Sequence, residues 1–296
     1  MKIHLCCLVA LVAFAPAAAA AQDESPKEAP APIERLDAWP ELGGSELSLV
    51  KRDIARLRKA RTEEMGTEAR AALIGAGAGV VPLLLPSLGR EQDPAAKQRI
   101  TAVLETLSGA AHTRLLGEYF TDESREVRVW CLERCARFPD PGLLEPAEAA
   151  WNAVVKLGER ADAGERDAAA VCAASAGSWA SFEHVKKTAL ASWGKSGDLI
   201  RTALETIRGP RGIERTRDLL SSEDRKQIVA GLNLLSGCGD ELAIPEVRPF
   251  LSNDDNSIRV AAINAMRGIV DGAPPVENLP VFDAIEMANE WMRRSK

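Results

Sequence analysis

The chain has 296 residues, 46% of them hydrophobic but only 4% aromatic, with Ala, Leu and Val supplying most of the apolar content. Such a composition favours helices and is ample for a folded core. The net charge of −6, with both signs interspersed, argues against the clustered basic face that a nucleic-acid surface needs. Length alone allows two conventional domains or one elongated repeat array, because repeats bury surface only against their neighbours.

The opening residues read as an export signal. Lys2 supplies a basic start, Leu5 to Ala15 an apolar stretch, and Ala17 to Ala21 small residues with a cleavage site before Gln22. Residues 1–21 are therefore set aside, and a periplasmic or secreted chain is expected. An uncleaved anchor is the alternative, although the apolar stretch is about half of the ~20 residues a spanning helix needs. Removing Lys2 from the 37 basic residues, against 43 acidic ones, takes the net charge to −7. Cys6 and Cys7 leave with the signal, ahead of the apolar stretch, where a lipidation cysteine does not sit. The four that remain, Cys131, Cys135, Cys172 and Cys238, are sparse and read as buried apolar cysteines. Their oxidation state stays open, and Cys131 or Cys135 with Cys172 is the pair to test.

Residues 22–44 mix charge, Pro and Ala without an apolar face and are expected to form a flexible leader. Residues 45–66 follow as an N-terminal capping helix, with Ser45 as N-cap and Leu47, Val50, Ile54 and Leu57 on one face. From 67 to 272 the chain keeps a rhythm of two helices per unit, separated by Gly, Pro, Asp or Ser turns. About six units are predicted. Their helices run 68–88 with 94–107, 113–121 with 125–138, 143–157 with 163–176, 181–193 with 197–208, 212–220 with 223–235, and 243–251 with 256–270. Residues 273–296 form a C-terminal cap, whose helix over 281–294 carries Ile285 and Trp291.

Two runs share a pattern. DESREVRVWCLERCARF, residues 122–138, and NDDNSIRVAAINAMRGI, residues 253–269, each place an acidic turn, a β-branched residue followed by Arg, then small and apolar residues at helical spacing. Val127 and Arg128 align with Ile258 and Arg259, Cys131 with Ala262, and Cys135 with Met266. This resembles the signature of HEAT and related HEAT-like (armadillo-type) repeats, and AALIGAGAGVVPLLLPSL resembles their first helix, with Pro82 as its proline. Units three to five depart from the pattern: Arg166 lacks the preceding Val, and Leu199 and Gln227 stand near the arginine register. The resemblance implies an all-α fold, an α-solenoid of about six helix pairs with capping helices at both ends. Arg128 and Arg259 are expected to be structural, reaching back to the acidic turn or on to the next unit.

No motif in the chain carries chemistry. Gly75, Gly77 and Gly79 lack the third glycine and the preceding strand of a dinucleotide loop, and Gly194, Lys195 and Ser196 lack the first glycine of a phosphate loop. The latter read as an interhelical turn. His112 and His184 stand alone, so no metal, cofactor or catalytic residue is predicted, and Ser178 is outside any nucleophile motif. The same scarcity of histidine sets aside the diiron hydroxylases built on such repeats. Trp130, Trp151, Trp179 and Trp193 cluster in the middle units; burial is the ordinary fate of each, and Trp130 and Trp179 are the candidate partner-binding residues. The expected role is a non-catalytic scaffold for a protein or peptide, without nucleic acid. An enzyme-associated lyase using carboxylates, and a self-associating envelope protein, are the alternatives.

Overall fold

The computed structural model describes residues 34–294; the predicted export signal and the leader up to residue 33 lie outside the described residues. Within them every regular element is helical, comprising fourteen α-helices and several short 3-10 turns, with no strand. The helix predicted to reach residue 66 ends sooner, as α1 (Gly44–Arg58), and α2 (Glu63–Gly75) restarts behind Thr62, whose hydroxyl accepts from Met65 N–H. The single predicted helix over 68–88 is likewise broken. Gly77 adopts φ +80°, which glycine tolerates without strain, and α3 (Val81–Arg90) begins with Pro82 in its first turn, where a missing N–H costs nothing.

Next come α4 (Pro94–Leu107), α5 (Thr113–Gly117), α6 (Arg125–Arg137), α7 (Leu144–Leu157), α8 (Ala163–Ser175) and α9 (Phe182–Leu204). They are followed by α10 (Pro210–Leu220), α11 (Arg225–Cys238), α12 (Ile244–Val247), α13 (Asn256–Met266) and α14 (Val281–Arg294). Side chains of Asp93, Asp162, Asp224 and Asp255 accept backbone N–H groups at the starts of α4, α8, α11 and α13. Each cap is worth about 1 kcal/mol. The predicted pair over 181–208 is present as the two halves of α9, which meet at a kink at Ser192 rather than at 194–196.

Packing follows chain order. α6 lies on α8, α8 on α9, α9 on α11, α11 on α13 and α13 on α14, while α5, α7, α10 and α12 pack respectively on α6, α8, α11 and α13. Small side chains make this close approach possible, since α8 is buried continuously from Ala168 to its end. Ion pairs join successive helices: Arg125–Asp162 at 3.0 Å, Arg128–Glu165 at 2.6 Å, Arg225–Asp255 at 3.4 Å and Lys186–Asp218 at 2.8 Å. Their members stand 30 to 37 positions apart in sequence, so helix ends that far apart along the chain lie side by side.

The last residues of the expected leader differ from a free segment. Leu36 N–H donates to Ala111 O at 3.0 Å, the Trp39 ring stacks on His112 at 5.4 Å, and Pro40 O lies so near Gly79 that no larger residue fits there. Arg35 pairs with Asp140 at 3.2 Å and also donates to Ala110 O. Asp140 is 4% exposed at its side chain and further accepts from Arg114, Thr113 and Gly142 N–H. Burial opposes its charge, but the Gly142 N–H, Arg114 and Arg35 outweigh it and hold the carboxyl below its ordinary value of 3.8. A depressed carboxyl stabilises the fold fully above that ordinary value and loses its contribution as pH falls through the folded one. Asp140→Asn is therefore expected to cost about 2 kcal/mol in urea unfolding at pH 6. The gap to the parent should narrow between pH 4 and pH 2.

Candidate partner-binding face

A depression lies beside the break in α9. At Ser192 the backbone leaves helical values (φ −147°, ψ 31°) while its hydroxyl donates to Thr188 O at 3.0 Å. Just beyond, the Trp193 indole lies across Gly197; a Cβ there would fall 2.8 Å from the ring. The glycine thus seats the indole against α9's own surface. Together with Ala189 and Leu190, Trp193 forms one wall of a groove of about 300 Å³. Arg225, Lys226, Val229, Ala230 and Asn233 of α11 line it too, as does Ser257 of α13. Leu190 is 41% exposed. Asn233 is only 9% exposed, and no hydrogen bond to its side-chain amide is found among the described residues. Gly197→Ala is expected to push the indole off its seat and shift its fluorescence emission, a shift absent when Trp193→Phe is introduced as well.

A second groove, of about 380 Å³, lies between α4 and α6, lined by Leu88, Lys97, Arg125, Val129, Trp130 and Glu133, with the Asp162 cap at its end. Here the charges balance, since Lys97 faces Glu126 at 3.8 Å and Arg125 faces Asp162. Burial pushes the Glu133 carboxyl above its ordinary range, with Arg137 and Lys195 pulling the other way. Trp130 is 8% exposed, so it is a wall of this groove by its edge and otherwise a core residue.

Trp179 occupies a separate depression, of about 450 Å³, beside Glu148, Glu183, Arg211 and Arg215. Gly177, with φ +109°, turns the chain out of α8, and the Trp179 ring then packs on Phe182 at 5.0 Å with the Arg211 guanidinium 5.3 Å away. Trp130 and Trp179 are therefore not brought together. Trp193, for which the sequence favours burial, and Asn233, which no motif singles out, are. A signal for Asn233 exists in the chain, for it is the one polar residue in the apolar run IVAGLNLL, residues 228–235.

Arg128 donates to Glu165 at 2.6 Å and to the carbonyls of Asp122 and Glu123 at 2.7 and 3.1 Å. Arg259 donates to Asn253 O at 2.8 Å and to the Asn256 side chain at 3.1 Å. Both thus tie the start of their helix to the preceding turn, and Arg128 also reaches Glu165 of α8. Gly194, Lys195 and Ser196 stand within α9 rather than in a turn. Ser178 hydrogen-bonds Glu148, and His184 meets Asp167 at 2.7 Å, while His112, its pKa lowered by burial, lies under Trp39. Among the described residues no group of three His, Cys, Asp or Glu side chains is placed to hold a metal ion. The four cysteines are buried free thiols, and burial drives Cys172 and Cys238 up to about 12. No single described helix is long and apolar enough to cross a membrane.

No family model and no curated protein matches this sequence. Among solved structures the chain is similar to an engineered protein, at 18% identity and a TM-score of 0.39, over 84% of this chain and 75% of that one.

Proposed function

We propose that the chain is an exported HEAT-like repeat scaffold, about six stacked helix pairs long, that holds a protein or peptide partner without catalysis of its own. The single observation that carries this reading is the groove between α9 and α11, lined by an indole, an exposed leucine, two cations and a mostly buried asparagine whose amide has no protein partner among the described residues. Such a mixture of aromatic anchor and placed polar groups is what recognition surfaces concentrate. The repeat reading draws on Arg128 and Arg259, four residues past Ser124 and Asp255 respectively and binding carbonyls of their own turns, and on the ion pairs that recur from unit to unit. Stacked pairs share a core that an isolated pair lacks.

Affinity capture with the tagged full chain from an envelope fraction, washed at low and high salt, tests the scaffold role. A salt-resistant partner that is lost with Trp193→Ala, Trp130→Ala or Trp179→Ala is expected; recovery of the chain alone contradicts the reading. Export is checked by fractionating cells that express the full chain, where retention in the cytoplasm would refute it. A self-associating role is the second reading, favoured by α14, which leaves Val281, Phe282 and Ile285 56%, 69% and 42% exposed. Sedimentation at rising concentration separates the two.

A further inference from the structure

We infer that the groove between α9 and α11 takes an extended peptide segment bearing an acidic side chain. In this arrangement the Asn233 amide pairs with a backbone peptide group, an apolar side chain lies against Leu190 and Trp193, and the carboxylate meets Lys226 and Arg225. The inference rests on the scaffold reading above and narrows it to one site and one ligand chemistry.

Asn233 carries the first part. A side-chain amide has one acceptor and two donors, the same complement that a peptide group offers in reverse. It sits on an otherwise apolar stretch of α11 with its polar atoms open to the groove and no protein partner among the described residues, so a ligand that replaces the water there must offer both a donor and an acceptor. An extended backbone does so, whereas an apolar ligand leaves the amide unpaired.

Charge carries the second part. No carboxylate lines the groove, and Lys226 has no ion-pair partner among the described residues. Two nearby acids are otherwise engaged: Asp224 accepts from Lys226 N–H at 2.8 Å as the cap of α11, and Asp255 caps α13 while approaching Arg225 at 3.4 Å. Both cations also stand in the first turn of α11, which contains no acid. The positive end of a helix dipole disfavours them there. Arg225 is held there by Asp255, whereas Lys226 is exposed and has no such partner among the described residues, which leaves it for a ligand of opposite charge. Trp193, seated by Gly197 beside the exposed Leu190, supplies a rigid apolar wall for the neighbouring side chain.

The test selects a phage-displayed library of random seven-residue peptides on the immobilised full chain, then measures one selected peptide by fluorescence polarisation. Enrichment of Asp or Glu beside an apolar residue is expected. The selected peptide should bind Asn233→Ala and Lys226→Glu at least about tenfold more weakly. Lys226→Glu places an acid at the helix start, so its thermal midpoint should be unchanged or raised, which separates lost binding from lost folding. Selected peptides without acidic enrichment, or bound equally by Lys226→Glu, overturn the inference. If no peptide is selected yet a captured partner is retained undiminished by Lys226→Glu, the inference fails while the scaffold reading stands. An empty selection with an empty capture ends both.

Discussion

Arg128→Ala is expected to lower the unfolding free energy by about 3 kcal/mol, because it breaks a largely buried ion pair and leaves its partner behind. Glu165 is 8% exposed at its side chain and, among the described residues, keeps no other salt bridge once the guanidinium is gone. The carbonyls of Asp122 and Glu123, at the turn before α6, lose their donor as well. Arg128→Lys retains the charge but cannot fork between a carboxylate and two carbonyls, so an intermediate loss is expected. Arg259→Ala provides the comparison. Its partners are one carbonyl and one neutral side chain, and about 1 kcal/mol is expected. Urea midpoints of the three variants check the order; equal losses for Arg128→Ala and Arg259→Ala would show that the bridge to Glu165 contributes nothing.

Gly268→Ala is expected to cost a similar amount, about 3 kcal/mol, by overpacking. The chain beyond α13 winds into a π turn, Arg267–Asp271, and passes so close to α11 that a Cβ on residue 268 would sit 2.2 Å from the backbone oxygen of Ser236. Backbone cannot swing aside as a side chain does, so the two helices must separate. Gly237 is under the same restriction on the other side of α11, where the Arg201 carbonyl oxygen stands 2.7 Å from its would-be Cβ. α11 is therefore gripped by backbone contacts on two flanks. Gly194→Ala is the control: nothing lies within 4 Å of its would-be Cβ, and an alanine within a helix is expected to be neutral or to stabilise by up to about 1 kcal/mol. Thermal unfolding of both variants checks the pair, and an unchanged midpoint for Gly268→Ala would contradict the close approach.

Much of the helical architecture was legible because local signals coincide with it. Asp93, Asp162, Asp224 and Asp255 each precede an apolar periodic run, and α4, α8 and α14 match their predicted spans to within a residue or two. Where the prediction failed, tertiary contacts had overridden local pattern. The apolar face of 68–88 runs unbroken through Gly77, and only the turn at φ +80° shows that two helices share it. The Gly194-Lys195-Ser196 stretch looks like a turn, yet the break in α9 falls at Ser192, beside the Trp193 seat on Gly197. Residues 34–43 contain too few apolar positions to announce a packed segment; their anchors, Arg35 to Asp140 and Trp39 on His112, join positions that only the fold brings together.

The candidate site was less legible, for a physical reason. A groove between two helices draws its walls from residues about forty positions apart, so neither Trp193 nor Asn233 belongs to a motif that spacing along the chain can reveal. Trp130 and Trp179 were reasonable candidates by residue type, and their separation into two depressions follows from their places in the fold, one on α6 and one in the turn after α8.

The most direct measurement of the central claim is hydrogen exchange on the full chain, alone and with its captured partner or a selected peptide. Slowed exchange at 189–197 and 225–233 on binding, with little change at α14, is the expected result. Protection confined to α14, or no protection at α9 and α11, would contradict a recognition surface on these helices.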